Sequence, residues 1–391
     1  MDNTAKSLEN GNALPPDLAG VNDEIPYEEL SIATPGQLMW WKFRKHRIAM
    51  ISVVVLAIMY FMAFFAGFFT PYDPNEFDAS YKYVPPMHIT FTDENGDFTW
   101  RPGVRGLIEE RDPETLRRSY NEDPDTWYPI NFFVKGYEYK LLWLFKTDIH
   151  LFGLGEEAGE QPYFLLGSDR LGRDMFSRIV QGGQISLSIG LVSVFLSLLL
   201  GIVLGGVSGY YGGWVDNLIQ RTIEFIRSIP TLPLWMALSA ALPPDWPQTQ
   251  RYFGITIILS MIGWTSLGRQ VRGRFLALRN EDFVLSARLT GARDMRVIIR
   301  HMVPSFTSHI IASLTLSIPG IILAETSLSF LGLGLRQPVI SWGVLLQEAQ
   351  NVRTVALAPW LMIPGLAVVM AVLAFNFLGD GLRDAADPFN R

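Results

Sequence analysis

The stretch NEDFVLSARLTGARDMRVIIRHMVPS, residues 280–305, decides how the rest of the chain is read. It reads as helix, glycine turn, helix. Asn280 is a good N-cap residue, and Glu281 and Asp282 put negative charge in the first turn, where the helix dipole favours it. Ser286 and Ala287 keep one face thin, so that another surface can approach closely. Gly291 supplies the positive φ that a helix C-terminus often needs. Met295, Ile298, Ile299 and Met302 follow the i, i+3, i+4, i+7 pattern of one buried stripe, and Pro304 ends the second helix. Arg288, Arg293, Arg296 and Arg300 cover much of the remaining surface. Taken alone, this is a basic amphipathic hairpin that any protein could carry. A long apolar span on either side makes it more specific.

Working outward, the apolar residues gather into blocks near the ~20 residues that a membrane helix needs. The spacing predicts spans over about 49–69, 185–207, 223–242, 252–267, 309–331 and 360–377. Trp40 and Trp41 suit a membrane interface. Lys42, Arg44, Lys45 and Arg47 form a basic flank before the first span, which predicts a cytoplasmic N-terminus. Residues 269–300 hold eight Arg against three acids (Glu281, Asp282, Asp294), the strongest such signal in the chain. Four crossings from a cytoplasmic N-terminus return the chain to the same side, so the two arguments agree without sharing residues. Gly201, Gly205 and Gly209 form a small-xxx-small face for close helix packing. Pro230 and Pro233 bend the third span, as a pathway lining or as a plain kink. Glu325 is a carboxylate inside an apolar block, placed there for a solute path or for a structural hydrogen bond. Arg227, Pro230, Trp235 and Glu325 are the candidate pathway residues. A short interfacial helix is expected around 342–350.

The 391 residues are 49% hydrophobic with a mean hydropathy of +0.20, and the net charge of −6 is unevenly spread. Residues 71–184 carry 20 Asp/Glu against 12 Lys/Arg, an acidic excess that agrees with an extracytoplasmic position. That segment is too long for a simple loop, and its Pro, Gly and aromatic content predicts a small α+β or irregular domain. Residues 1–35 are polar and acidic and read as disordered, without the apolar core of a cleavable signal peptide. With no cysteine, neither a disulfide nor a thiolate metal site can form. The five His residues show no i, i+4 pair, and HExxH, GxSxG and GxxxxGK[ST] are all missing, so an enzyme of its own is not expected.

Residues 280–304 resemble the cytoplasmic "EAA" loop of bacterial ABC-importer permeases. Leu285, Ser286 and Ala287 stand at the E-A-A positions, Gly291 at the glycine, and His301-Met302-Val303-Pro304 at the close. Thr70-Pro-Tyr-Asp-Pro74, the LGSDRLGRD run with Asp169, Gly172, Arg173 and Asp174, GYYGGWVD at 209–216, LSFLGLG at 328–334 and GDGLRDAADP at 379–388 follow in the order of the dipeptide/oligopeptide branch. The likeness covers about 37–75 and 164–390 and leaves 76–163 uninterpreted. It implies an all-α polytopic membrane protein with six transmembrane helices and a large extracytoplasmic insertion between the first two. The expected divisions are a tail at 1–48, a first helix at 49–70, an extracytoplasmic domain at 71–184 and a five-helix core at 185–391 with its coupling loop at 269–305.

The resemblance further implies a multi-pass protein of the bacterial inner membrane with both termini cytoplasmic. It implies a second permease subunit, two cytoplasmic ABC ATPases and an extracytoplasmic solute-binding protein as partners, beside the lipid bilayer and without nucleic acid. ATP and Mg²⁺ would be used by the ATPases, with no cofactor held by this chain. Glu281, Ser286, Ala287, Gly291, Ile298, His301 and Pro304 would couple to an ATPase. Peptides are the expected cargo, with oligosaccharides or metal chelates as alternatives. A secondary transporter or channel without ATPases, and an external enzymatic or binding domain anchored by helices, remain as other readings.

Overall fold

The computed structural model describes residues 35–386 apart from 95, 112, 114–117, 142, 143, 156, 157 and 160, so the acidic N-terminal tail and the last residues of GDGLRDAADP lie outside it. Helix α1 (Pro35–Lys45) carries the basic flank. Helix α2 (Arg47–Phe64) starts where His46 Nδ1 accepts the Ala49 N–H at 3.1 Å, and the short α3 (Ala66–Phe69) extends it. Apolar residues cover α2 on all sides, as a lipid-facing helix requires.

Between α3 and α4 lies a four-stranded antiparallel meander of β1 (Thr90–Thr92), β2 (Phe98–Arg111), β3 (Arg118–Leu141) and β4 (Phe145–Leu154). The domain expected to be α+β or irregular over the 71–184 segment is thus built on an antiparallel sheet, set into a chain that is otherwise helical. Charged and proline residues interrupt the alternation that marks a strand, and register shifts along β3 break it further. The sheet closes on Val84, Val104, Tyr120, Ile130, Tyr163 and Phe164.

Helix α4 (Met175–Tyr211) begins ten residues before the expected start of the second span. Asp174 caps it, accepting the Ser177 N–H at 2.7 Å. Arg178, a charge in the helix's first turn, is buried, donates to the Pro74 carbonyl at 3.0 Å and pairs with Asp169. Gly212, at φ +67°, ends the helix. Helix α5 (Gly213–Ser228) and the ten-residue α6 (Thr231–Ala240) replace the single span expected over 223–242, because Pro230 breaks the helix between them. Helix α7 (Gln248–Leu278) runs through the expected fourth span and on past Arg272.

The glycine face works as expected. A Cβ on Gly201 would strike the Leu267 side chain, one on Gly205 the Gly268 carbonyl, and one on Gly209 the Arg272 carbonyl at 2.7 Å. These contacts and the Tyr252–Ser188 hydrogen bond lay α4 and α7 side by side in the same direction. The α5–α6 pair therefore carries the chain back along their length.

After the hairpin come α8 (Asp282–Leu289), α9 (Asp294–Val297), a π turn at Ile298–Met302 and α10 (Val303–Ser305). Then follow α11 (Thr307–Phe330), α12 (Trp342–Leu346), α13 (Val352–Leu357) and α14 (Ile363–Ala386). A helix does form where one was expected around 342–350, and its first part, α12, packs into the chain: Trp342, Val344 and Leu345 are buried, and Trp342 Nε1 donates to the Ile179 carbonyl at 3.0 Å. Among the described residues, four helical segments are long and apolar enough to cross a membrane: 47–64, 175–211, 307–330 and 359–386. Helix α4 holds the sheet near its first turn and the hairpin near its last, about 55 Å apart at 1.5 Å per residue.

Candidate functional site

The hairpin is built much as its sequence predicts, with local differences. Gly291 has φ +82°, and a Cβ there would meet nothing within 4 Å, so the glycine is needed for its backbone conformation and not for space. The cap is Glu281 in place of Asn280, one residue later. The second helix is a four-residue turn followed by the π turn, which rotates the expected stripe. Val297, Ile298 and Met302 are buried, whereas Met295 and Ile299 are exposed. Pro304 sits inside α10, and the break falls at Phe306.

The hairpin's inner face packs on α4, α7 and α11. Val284, Ala287, Val297, Ile298 and Met302 share one apolar cluster with Tyr210, Leu267, Val271, Phe275 and Ile310. Ala287 and Ile298 therefore hold the hairpin to its own chain. Ser286, Glu281, Gly291 and Pro304 are exposed, and His301 is half-buried. Leu285, Leu289, Met295 and Ile299 leave an apolar outer face open, with Leu289 88% exposed.

Two polar contacts fix this seat. Tyr210 Oη donates to Asp294 Oδ1 at 2.6 Å and accepts from Arg288 Nε at 3.2 Å, while the Arg288 guanidinium lies 4.6 Å from the Tyr210 ring centroid. One aromatic residue at the end of α4 thus holds both arms of the hairpin. Beside it, Arg272 forks onto Asp216, with Nε to Oδ1 at 2.5 Å and Nη2 to Oδ2 at 2.6 Å, and ties α7 to α5. The Arg272 fork holds the Asp216 carboxyl below the usual carboxylate range. The GYYGGWVD motif supplies Tyr210 and Asp216, but nothing in its spacing shows that they face the hairpin and α7.

The four candidate pathway residues are not gathered at one place. Arg227 and Pro230 are exposed at the α5–α6 corner, and Trp235 is half-buried on α6. Glu325 is fully buried and its oxygens are engaged: Ser329 and Ser341 hydroxyls donate to Oε1 at 2.8 Å each, and Ser186 donates to Oε2 at 3.3 Å. Each serine in turn accepts a backbone N–H, from Leu335, Val344 and Trp342 respectively. Of the two readings of Glu325, this geometry fits the structural knot, joining α11, α4 and α12.

The LGSDRLGRD segment forms a second knot at the sheet end. Asp169 Oδ1 accepts the N–H groups of Leu171 and Arg173, and Oδ2 binds Arg173 Nε at 2.6 Å. Arg170 and Arg173 reach Glu348, and Trp360 Nε1 donates to the Ser168 carbonyl at 2.9 Å. Burial pushes the Glu348 carboxyl up, and the neighbouring Asp169 adds to that. Gly172, at φ +80°, has the Asp78 carbonyl where a side chain would be. The glycines serve this crossing, and no phosphate cradle is built from them.

Residues 175–391 match the family described as binding-protein-dependent transport system inner membrane component, and residues 34–86 match the N-terminal transmembrane domain of oligopeptide transport permease C. Neither match includes the sheet. The chain is 42% identical over 223 residues to a glutathione transport system permease protein GsiD of Escherichia coli O6:K15:H31, covering 57% of this chain and 71% of that protein. It is 38% identical over 232 residues to the oligopeptide transport system permease protein OppC of Haemophilus influenzae, covering 59% and 72%. Among solved structures, an inward-facing MetNI methionine ABC transporter chain is similar at a TM-score of 0.41 and 16% identity, over 54% of this chain and 97% of that one.

Proposed function

The chain belongs to the inner membrane components of binding-protein-dependent transport systems and is a membrane-embedded permease subunit of an ABC importer; on that premise we propose that the 280–304 hairpin is where it receives the ATPase stroke. The carrying observation is the two-sided hairpin. One face is locked to α4 and α7 by Tyr210 and a closed apolar cluster, and the other presents Leu289, Met295 and Ile299 to a partner. A surface meant only for water would not leave three large apolar side chains open beside four arginines. The arginines of 269–300 support a cytoplasmic position for this end, an outer position for the acidic sheet end, and both termini inside.

Six crossings follow if the broken α5–α6 pair and α7 join the four long apolar helices. Partner ATPases hydrolyse ATP with Mg²⁺ outside this chain, a second permease completes the pathway, and a solute-binding protein delivers cargo to the sheet side. Short peptides are the cargo best supported, from the oligopeptide and glutathione systems named among the relatives. The ATPase-bound and ATPase-open states need only differ in affinity for this outer face to drive alternating access.

The chain has no cysteine, so Leu289→Cys is a unique cross-linking position. In the assembled importer it should cross-link to an ATPase subunit, with a yield that changes on ATP binding. Labelling of that cysteine by a membrane-impermeant thiol reagent from outside the cell would end this reading. Gly291→Val adds a second test. The site has room for the side chain but not for its φ, at a cost of about 1–3 kcal/mol. Transport should fall more than ATP hydrolysis while the protein stays in the membrane.

A further inference from the structure

The run Lys140-Leu-Leu-Trp-Leu-Phe-Lys146 is the most apolar stretch of the otherwise acidic 71–184 segment, and no role described above uses it. It joins β3 to β4. Leu144 and Phe145 are 78% and 64% exposed in the sheet's own structure. Lys140 and Lys146 are direct cross-strand partners, an arrangement that like charges make unfavourable. Among the described residues, neither lysine makes a salt bridge.

The direction of β3 shows where this tip goes. Phe133 packs against Phe68, and the Tyr137 hydroxyl bonds Thr70 Oγ1 at 2.6 Å. Further along, Tyr139 covers Gly67, and His150 of β4 bonds the Gly67 carbonyl at 2.8 Å. Lys140 then lines a cleft of about 1080 Å³ together with Phe61, Phe64 and Phe65. The ribbon therefore runs back down along the last turns of the first apolar helix. At about 3.3 Å per strand residue, Phe145, opposite Leu141, and Leu144 lie a further ~3–7 Å along, reaching into the ~5–10 Å to which interfacial apolar groups enter a bilayer.

We propose that the β3–β4 tip is a membrane-interface anchor for the leaflet on the sheet side, with Leu144 and Phe145 in the acyl boundary and the Lys140–Lys146 pair on an anionic phospholipid phosphate. A phosphate between the two ammonium groups removes their mutual repulsion, and among the described residues nothing covers Leu144 and Phe145. The anchor stiffens the sheet against the end of α2. The proposal requires only that α2 crosses the bilayer, and it stands or falls separately from the coupling role of the hairpin.

The test uses the full importer in lipid nanodiscs, with a nitroxide on Leu144→Cys and, as control, on Trp100→Cys, which is 89% exposed on β2. Accessibility to oxygen relative to a water-soluble nickel complex reports depth. The ratio at position 144 should exceed that at position 100 severalfold in discs containing phosphatidylglycerol. It should fall in phosphatidylcholine alone, and the double variant K140Q/K146Q should lose that lipid dependence. Equal ratios at 144 and 100 overturn the proposal. So does shielding of position 144 that arises only when the solute-binding protein is added, which would make the tip a receptor contact. Immersion that ignores both lipid charge and the two lysines overturns the headgroup assignment.

Discussion

Removing a single oxygen, in Tyr210→Phe, tests whether α4 and the hairpin move as one body. The hydroxyl donates to the Asp294 carboxylate at 2.6 Å and accepts from Arg288 at 3.2 Å, and the ring stays in place under the Arg288 guanidinium. A hydrogen bond to a charged group contributes about 1.5–3 kcal/mol. Asp294 and Arg288 are both exposed and regain water when the hydroxyl is lost, which brings the loss to the bottom of that range or just below it, about 1–2 kcal/mol. That shifts the seated-to-unseated ratio of the hairpin by about 5–30-fold. A nitroxide on Leu289→Cys in the assembled importer should become more mobile, and solute moved per ATP hydrolysed should fall while basal hydrolysis persists. Asp294→Ala should give a milder form of the same phenotype, and the double variant should be little worse than Tyr210→Phe alone, because both changes remove the Tyr210–Asp294 bond. The reasoning fails if Tyr210→Phe leaves both the spin-label spectrum and the transport-to-ATP ratio unchanged.

Further outcomes follow from the same geometry. Gly205→Ala forces a methyl group into the Gly268 carbonyl and should cost about 1–3 kcal/mol by overpacking, seen as a lower unfolding temperature in detergent. Gly273→Ala, with nothing within 4 Å of the new carbon, should not lower it. Glu325→Gln places an amide donor among three serine hydroxyls that already donate, and should destabilise by about 1–3 kcal/mol, with a changed Trp342 fluorescence. Burial pushes the Asp174 carboxyl up to about 6. A carboxyl raised in the fold binds its proton more tightly there than in the unfolded chain. Its penalty is therefore absent below the unfolded value near 4 and grows as pH rises to about 6. Asp174→Asn keeps the cap and should flatten that fall in melting temperature relative to the unsubstituted protein; identical slopes would rule the buried carboxyl out as its source.

How much of this was legible in the sequence depended on whether a feature was local. The glycine face 201–205–209 and the positive φ of Gly291 are single-residue or fixed-period signals, and the structure has them where they were expected. The span ends shifted where burial could not be foreseen. Arg178 looks like a polar boundary until Asp169 and the Pro74 carbonyl come to meet it from other segments. The meander was hidden because β3 mixes Asn, Asp, Glu and Pro with its aromatics, so no clean alternation survives. The stripe on the second hairpin helix was misplaced because periodicity assumes 3.6 residues per turn, which the π turn at 298–302 does not keep. Tyr210, Asp216, Ser186 and Ser341 could not be found by spacing, since each meets its partner from a separate segment, whereas Ser329 lies one helical turn from Glu325 and was within reach of an i, i+4 reading.

The different chemistry of the two ends of α4 bears on how a stroke would travel. At the sheet end its first turns are held by the fully buried Asp169–Arg173–Arg178 group and, a little further on, by the Glu325 knot through Ser186. Breaking either would leave charged or polar groups without water, which makes that end stiff. At the hairpin end the ties are the half-exposed Asp216–Arg272 fork and the Tyr210 contacts, whose partners water can replace. Between the two, α4 has no proline, and its Gly205 and Gly209 press on the α7 backbone. Force applied at the hairpin would therefore meet its softest contacts first and then a helix pair that can only move together. The breaks in the helical path fall at neither glycine face nor knot but at the Gly212 turn and at Pro230, where α5 and α6 leave the pair. Stiffening that corner should slow transport without weakening the seat.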